Sequence, residues 1–277
     1  MAGIVTGIKV LVKQIIPKRV LGLLLKLWGS LKKLFVYREY DSDQYWKTRA
    51  QGKGQSRVMW TNEEYNKCYR KIQKEFLRNL FLEFPTIDSV LDIGCGIGIV
   101  AKMLLDISPE IRVDAVDFSE MIVVARKENY GVGITYIESS AEEYYNPDKK
   151  YRLIISSACF SAIRDVKKME AAIENCMEMI GKGGLLVMID PFHRWNYLAR
   201  VKYSSRQVIE FVQKRLMLIY KGGVLFWPYR EWLANSNCQG QKLETRFKQG
   251  EKLLSIFGQF VWADYKILVF KKKDDCD

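Results

Sequence analysis

Histidine is nearly missing from this 277-residue chain, which carries one, His193. Its six cysteines (Cys68, Cys95, Cys159, Cys176, Cys238 and Cys276) include no C-x-x-C pair. Neither a zinc site nor a disulfide framework is therefore encoded, no metal is expected, and a reducing cytoplasm suits the chain best. Long uncharged apolar runs are missing too. Lys9, Lys13, Lys18, Lys26 and Lys32 break up the apolar first 35 residues, so no window reaches the ~18 uncharged residues of a membrane-spanning helix. With the first positive charge at Lys9 and no small-residue cleavage site after the apolar stretch, a secretory leader is not expected. Acidic residues are scarce only at one end. Residues 1–40 hold eight lysines and arginines against Glu39 alone, a net +7 of the total +12, which leaves +5 for residues 41–277. That remainder is a weak electrostatic footprint for a nucleic-acid enzyme, and no nucleic-acid partner is expected. What is present is apolar: 48% of residues are hydrophobic and 13% aromatic, enough for one sizeable core with appendages.

The first appendage is residues 1–36. On a helical wheel Val20, Leu23, Leu24, Leu27, Trp28, Leu31, Leu34 and Phe35 share one broad face, opposite Arg19, Lys26, Ser30 and Lys33. Ile4, Ile8, Leu11, Val12 and Ile15 make a similar face before Pro17, which separates the two helices. Such a segment lies in the interface of a bilayer, and each basic residue near an anionic surface adds roughly 1 kcal/mol. A basic arm that holds the protein peripherally on an anionic membrane surface is the expectation; packing of the same face on the protein's own core is the alternative. Residues 37–86 read as a linker and a cap helix. Tyr37 to Trp60 is polar and aromatic with breakers at Gly52 and Gly54, and Thr61 with Glu64 has capping-box spacing. Tyr65, Cys68, Tyr69, Ile72, Phe76 and Leu80 then continue one helical face up to Pro85.

Residues 90–98 read VLDIGCGIG. A short buried strand runs into Gly94, Gly96 and Gly98, which let the backbone turn tightly and approach a ligand closely, and IVAKMLLDI at 99–107 has the make-up of a helix. A second strand over Val113, Ala115 and Val116 ends at Asp117, 23 residues after Gly94, where a carboxylate can accept hydrogen bonds from both hydroxyls of a ribose. A helix over Ser119 to Lys127, strands at 133–137, 151–157 and 185–191, and a helix ending at GKGG keep strand and helix alternating. A dinucleotide site would place its third glycine at residue 99, which is Ile99 here; the glycine falls instead at Gly98.

In these motifs the chain resembles the class I S-adenosylmethionine-dependent methyltransferases over about residues 60–192: VLDIGCGIG is similar to their first motif, VDFSEMI to their acidic second-strand motif, and MIGKGGLLVMIDP to the turn before their fifth strand. The resemblance implies an α/β, Rossmann-like fold over residues 87–277. Its seven-stranded sheet is mostly parallel with one antiparallel strand and flanking helices, preceded here by the amphipathic arm and carrying a helical lid insertion after strand five (193–250). It implies the cofactor S-adenosyl-L-methionine and a role for each matching residue. Asp92 with the Gly94 and Gly96 backbone would meet the cationic methionine end, Asp117 the ribose, and Phe118 with Met121 the adenine. Ala141 and Glu142 would lie by the adenine amino group, with Cys95 and Ser157 completing the site. Ser140 stands where the family often has Asp, and Arg152 follows Tyr151 where it often has an acid, so no catalytic carboxylate is expected from strand four.

Methyl transfer needs mainly a nucleophile held in line with the methyl group, and an oxygen nucleophile gains from a base. His193 in IDPFHRWNY, at the carboxyl edge of the sheet, is the first candidate and Asp190 the second. The insertion is dense in aromatics (Trp195, Tyr197, Tyr203, Phe226, Trp227, Tyr229, Trp232) with Arg200 and Arg230, which suits an apolar or ring-bearing acceptor with a polar head, and Gly222 with Gly223 would let it move. Together with the arm this points to a lipid-like acceptor such as a lipid, a quinone or a lipid-linked saccharide, most readily methylated at oxygen. A soluble small metabolite is the runner-up and an RNA the third choice.

Overall fold

The computed structural model describes residues 42–193 and 203–273. The basic arm, together with Trp195, Tyr197 and Arg200 of the insertion, lies outside the described residues.

Seven strands form one sheet: β1 (Ser89–Ile93), β2 (Arg112–Asp117), β3 (Ile134–Glu138), β4 (Tyr151–Ser157), β5 (Ile180–Asp190), β6 (Met217–Phe226) and β7 (Ala263–Lys271), in the order β3-β2-β1-β4-β5-β7-β6. β7 is antiparallel to both β5 and β6, while the remaining pairs are parallel. All five residues of β1 are buried, as expected of a strand covered on both faces. Because side chains alternate along a strand, Val90, Leu153, Val187 and Val269 meet Leu77, Val100 and Leu104 on one face. Leu91, Ile154, Leu186 and Leu268 meet Ile173 and Cys176 on the other.

The first core is covered by α2 (Glu63–Glu83), α3 (Ile99–Ile107) and α8 (Gly240–Phe257), and the second by α5 (Val166–Met179) and α6 (Ser205–Val212). α1 (Ser42–Ala50) packs beside α4 (Ser119–Glu128), and α7 (Trp227–Leu233) and α9 (Gln259–Trp262) pack against α8, β6 and β7. Strand order reverses between β1 and β4, and an open α/β sheet offers its ligand crevice at the carboxyl ends beside that reversal.

Three expectations are corrected. The stretch read as a linker contains α1 and a 3-10 turn at Gly54–Arg57, and α1 packs on the core through Ala50 beside Ile97 and Met121. The cap of α2 is Asn62, whose side chain accepts the Tyr65 N–H; Thr61 bonds to Asn235 instead. The segment read as a lid over 193–250 holds β6, an edge strand of the sheet, and α7 and much of α8. Gly222 and Gly223 lie within β6 opposite Ile267 and Lys266. A Cβ at Gly223 would stand 2.3 Å from that of Ala263, so this glycine serves close packing rather than motion. The apolar run of β6 is interrupted by those glycines, which hid it as a strand.

Candidate active site

Beyond Ile93 the chain turns through Gly94, Gly96 and Gly98 with φ of 70°, 57° and 77°, a region glycine enters at little cost. The Gly94 and Cys95 N–H groups both donate to the Val116 carbonyl at 2.9 Å, and the Gly96 N–H donates to Asp117 Oδ2 at 2.7 Å. The backbone donors of Gly94 and Gly96 are thus spent within the fold, and what these glycines supply is room. A Cβ at Gly94 would stand 2.3 Å from Cβ and Sγ of Cys159.

A cavity of about 400 Å³ opens beside this loop. Its wall brings together all the residues expected at the cofactor: Asp92, Gly94, Cys95, Gly96 and Asp117 from β1, its loop and the end of β2; Phe118 and Met121 from the start of α4; Ala141, Glu142 and Ser157 beyond β3 and at the end of β4. The two aspartates dominate its chemistry. Asp117 Oδ1 accepts the Phe118 N–H at 2.8 Å, and each of its oxygens retains capacity for another donor. Burial pushes its pKa up to about 6. Asp92 Oδ2 accepts the Ala101 N–H at 3.1 Å, while its Oδ1 is buried with no partner. Burial, reinforced by the charge of Asp117, pushes Asp92 up to about 7. Carboxylates held this way are costly unless a ligand supplies donors or positive charge.

Several wall residues escaped the sequence reading. Arg70 on α2 donates to Gln73 Oε1, keeps its Nε buried without a partner, and has its pKa lowered by burial. Gln73 in turn donates to Ser157 Oγ at 2.9 Å. Nothing in helical periodicity separates such an arginine from a solvated one. Trp46, Val58 and Met59 reach the wall from the stretch read as a linker. Arg49 pins that stretch, donating to the carbonyls of Ser56 and Met59, and Arg57 pairs with Glu128 on α4. Tyr265 of β7 and Cys159 also line the wall, and Glu142 pairs with Lys168 at 3.0 Å.

Neither expected base lines the cavity. Asp190 accepts from Ser156 Oγ, Ser161 Oγ and the Ser161 N–H at 2.8 to 3.0 Å and so pins the turn after β4; burial raises its pKa. His193 Nε2 is hydrogen-bonded to Asp264 Oδ1 at 3.0 Å, and Arg230 reaches the same carboxylate at 2.7 Å. Burial pushes Asp264 up, but Arg230 and His193 outweigh it and hold the carboxyl well below the usual range. His193→Ala is accordingly expected to cost stability, about 1.5–3 kcal/mol for a lost hydrogen bond to a buried charge, and to leave cofactor affinity unchanged. Denaturant unfolding beside calorimetry checks both. The aromatics of the insertion that are described pack on the fold: Phe226 meets Tyr229, Phe257 and Trp262, Tyr229 meets Trp232, which lies under Arg246, and Tyr203 donates to Glu170 on α5.

Residues 90–184 match the family model described as a methyltransferase domain. Among curated proteins the chain is 33% identical over 96 residues, 34% of its length and 35% of the relative's, to malonyl-[acyl-carrier protein] O-methyltransferase 1 of Ilyobacter polytropus. It is 26% identical over 152 residues, 47% of its length and 46% of the relative's, to a tRNA N(3)-methylcytidine methyltransferase of Drosophila melanogaster. It thus spans only a third to a half of these relatives' lengths. In fold it is similar to the N-methyltransferase NodS of Bradyrhizobium japonicum in complex with S-adenosyl-L-homocysteine. The TM-score is 0.58 at 16% identity, covering 84% of this chain and 99% of that one.

Proposed function

We propose that this chain, whose core is a class I S-adenosylmethionine-dependent methyltransferase domain, transfers a methyl group to an oxygen of a hydrophobic small-molecule acceptor at or near an anionic membrane surface. One observation carries the methyl-transfer reading: two carboxylates, the buried Asp92 and the half-buried Asp117, share a cavity wall with the glycine loop, and one oxygen of Asp92 has no partner. This is a site built for a ligand with hydroxyls and positive charge, and S-adenosylmethionine has both. Asp117 would accept its ribose hydroxyls, Asp92 would face its cationic end, Arg70 would take its carboxylate, and Phe118 with Met121 would wall the adenine. When bound, the cofactor supplies a methyl group already activated on a sulfonium. The protein's own share is to hold the acceptor in line and exclude water, and Trp46, Val58 and Met59 stand where they would close the cavity.

Oxygen is favoured by the O-methyltransferases among the relatives. It also agrees with the placement of His193 and Asp190, since an oxygen that is already ionised, as in a carboxylate, needs no base. The membrane reading rests on the sequence of residues 1–36; among the described residues no helix is long and apolar enough to cross a bilayer. An acceptor linked to a carrier protein or a soluble metabolite is the second reading, supported by the same relatives. The tRNA-modifying relative favours an RNA, against which stands the charge of only +5 over residues 41–277. Mass spectrometry of lipid and small-molecule extracts, from cells with and without the gene, tests the reading. A lipid-soluble species heavier by one methylene in the presence of the gene is expected. A new methyl group found only in tRNA would overturn it.

A further inference from the structure

Exposed apolar side chains gather where α8 ends and β7 begins. Ile256 and Phe257 in the last turn of α8 are 65% and 59% exposed, and Val261 and Trp262 in α9 are 41% and 43% exposed, all within seven residues. Gly258 turns the chain between the two pairs with φ of 106°, and nothing lies within 4 Å of where its Cβ would be, so the tip projects into open space. Buried Phe226 supports it from behind, 6.3 Å from Phe257 and 6.2 Å from Trp262 between ring centroids. These side chains are exposed by a built tip of the fold.

Two further facts say what it meets. The first is place: Phe226 at the end of β6 faces Ala263, and Asp190 at the end of β5 faces Lys266. The tip therefore stands on the carboxyl edge of the sheet, the edge that carries the cavity. The second is charge. From Lys252 to Ala263 there is no acidic residue, Lys252 and Lys221 are exposed, and Lys221 lies 5.7 Å from the ring of Phe260. The cores of protein–protein contacts are depleted in lysine, whereas an apolar, tryptophan-bearing tip flanked by lysines matches the interface of an anionic bilayer.

We infer that Ile256, Phe257, Val261 and Trp262 are a membrane contact separate from the arm, one that turns the carboxyl edge of the sheet toward anionic lipid. The inference rests on the membrane reading above. The full chain and its Phe257→Ser/Trp262→Ser variant are to be sedimented with vesicles of phosphatidylcholine alone and of phosphatidylcholine with phosphatidylserine. The variant is expected to partition at least tenfold less onto the anionic vesicles, with an unchanged salt dependence, since its charges are intact, and an unchanged melting temperature. Tryptophan quenching by brominated lipid should be smaller in Trp262→Phe than in the parent chain. If parent and variant sediment equally, the contact is overturned and the membrane reading stands. If the full chain stays in the supernatant, both fall. If the parent forms a concentration-dependent dimer that the variant abolishes, a second copy of the chain covers this surface and the lipid contact is overturned.

Discussion

Replacing Asp117 by alanine is expected to weaken S-adenosylhomocysteine binding by roughly 10²- to 10⁴-fold. Two charge-assisted hydrogen bonds to ribose hydroxyls are worth about 1.5–3 kcal/mol each, and the same carboxylate also anchors the loop through the N–H groups of Gly96 and Phe118. Asp117→Asn separates these effects, because it keeps the shape and loses the charge; its affinity should fall between the two. The carboxyl also sets a pH dependence. Burial holds the free-site pKa near 6 for Asp117 and near 7 for Asp92, and a ligand that donates hydrogen bonds and carries positive charge prefers both ionised. Protons must therefore leave on binding at low pH, so affinity should rise as pH climbs from about 5 to 8 and then level off. Isothermal calorimetry in buffers of different ionisation enthalpy reads both the affinity and the released protons. An Asp117→Ala protein that binds as well as the parent would remove the ribose role.

Gly94→Ala is the second large effect. The substitution places a methyl group 2.3 Å from Cβ and Sγ of Cys159 at a φ of 70°. Overpacking costs about 1–3 kcal/mol and the left-handed conformation about 1–2 more, a large part of the ~5–15 kcal/mol that holds a domain together. Denaturant unfolding should show that loss, and S-adenosylhomocysteine binding should disappear with the loop geometry. Adding Cys159→Gly removes the atoms in the way, so the double variant should recover the steric share and keep the backbone share. No recovery would mean that Cys159 does not pack on the loop as described.

The chain announces its core more clearly than its rim. β1, β4 and the helix at 99–107 were legible because buried strands and their following helix carry unbroken apolar periodicity, and Asp92 and Asp117 stood at spacings tied to one ligand. β6 was not, since Gly222 and Gly223 interrupt its pattern and its exposed residues Met217, Ile219 and Tyr220 are apolar, so no inward–outward alternation marks the strand. α1 was missed because it is short and largely polar, burying Ala50; its Trp46 reaches the wall only once the chain folds back under Arg49. Arg70 was invisible for a different reason: an arginine with a buried Nε is defined by what surrounds it, and besides the adjacent Tyr69 its neighbours Asp92 and Tyr265 come from distant parts of the chain. His193 illustrates the converse. Position along the sequence put it at the productive edge of the sheet, yet Asp264, 71 residues away, and Arg230, which bonds to the same Asp264, bind it into a buried cluster.

The most direct test titrates the unmodified protein with S-adenosylhomocysteine and, separately, with NAD, in a calorimeter at pH 8. A single saturable site for S-adenosylhomocysteine, lost in Asp117→Ala, is expected, with no heat from NAD. Saturable NAD binding with none for S-adenosylhomocysteine would contradict it.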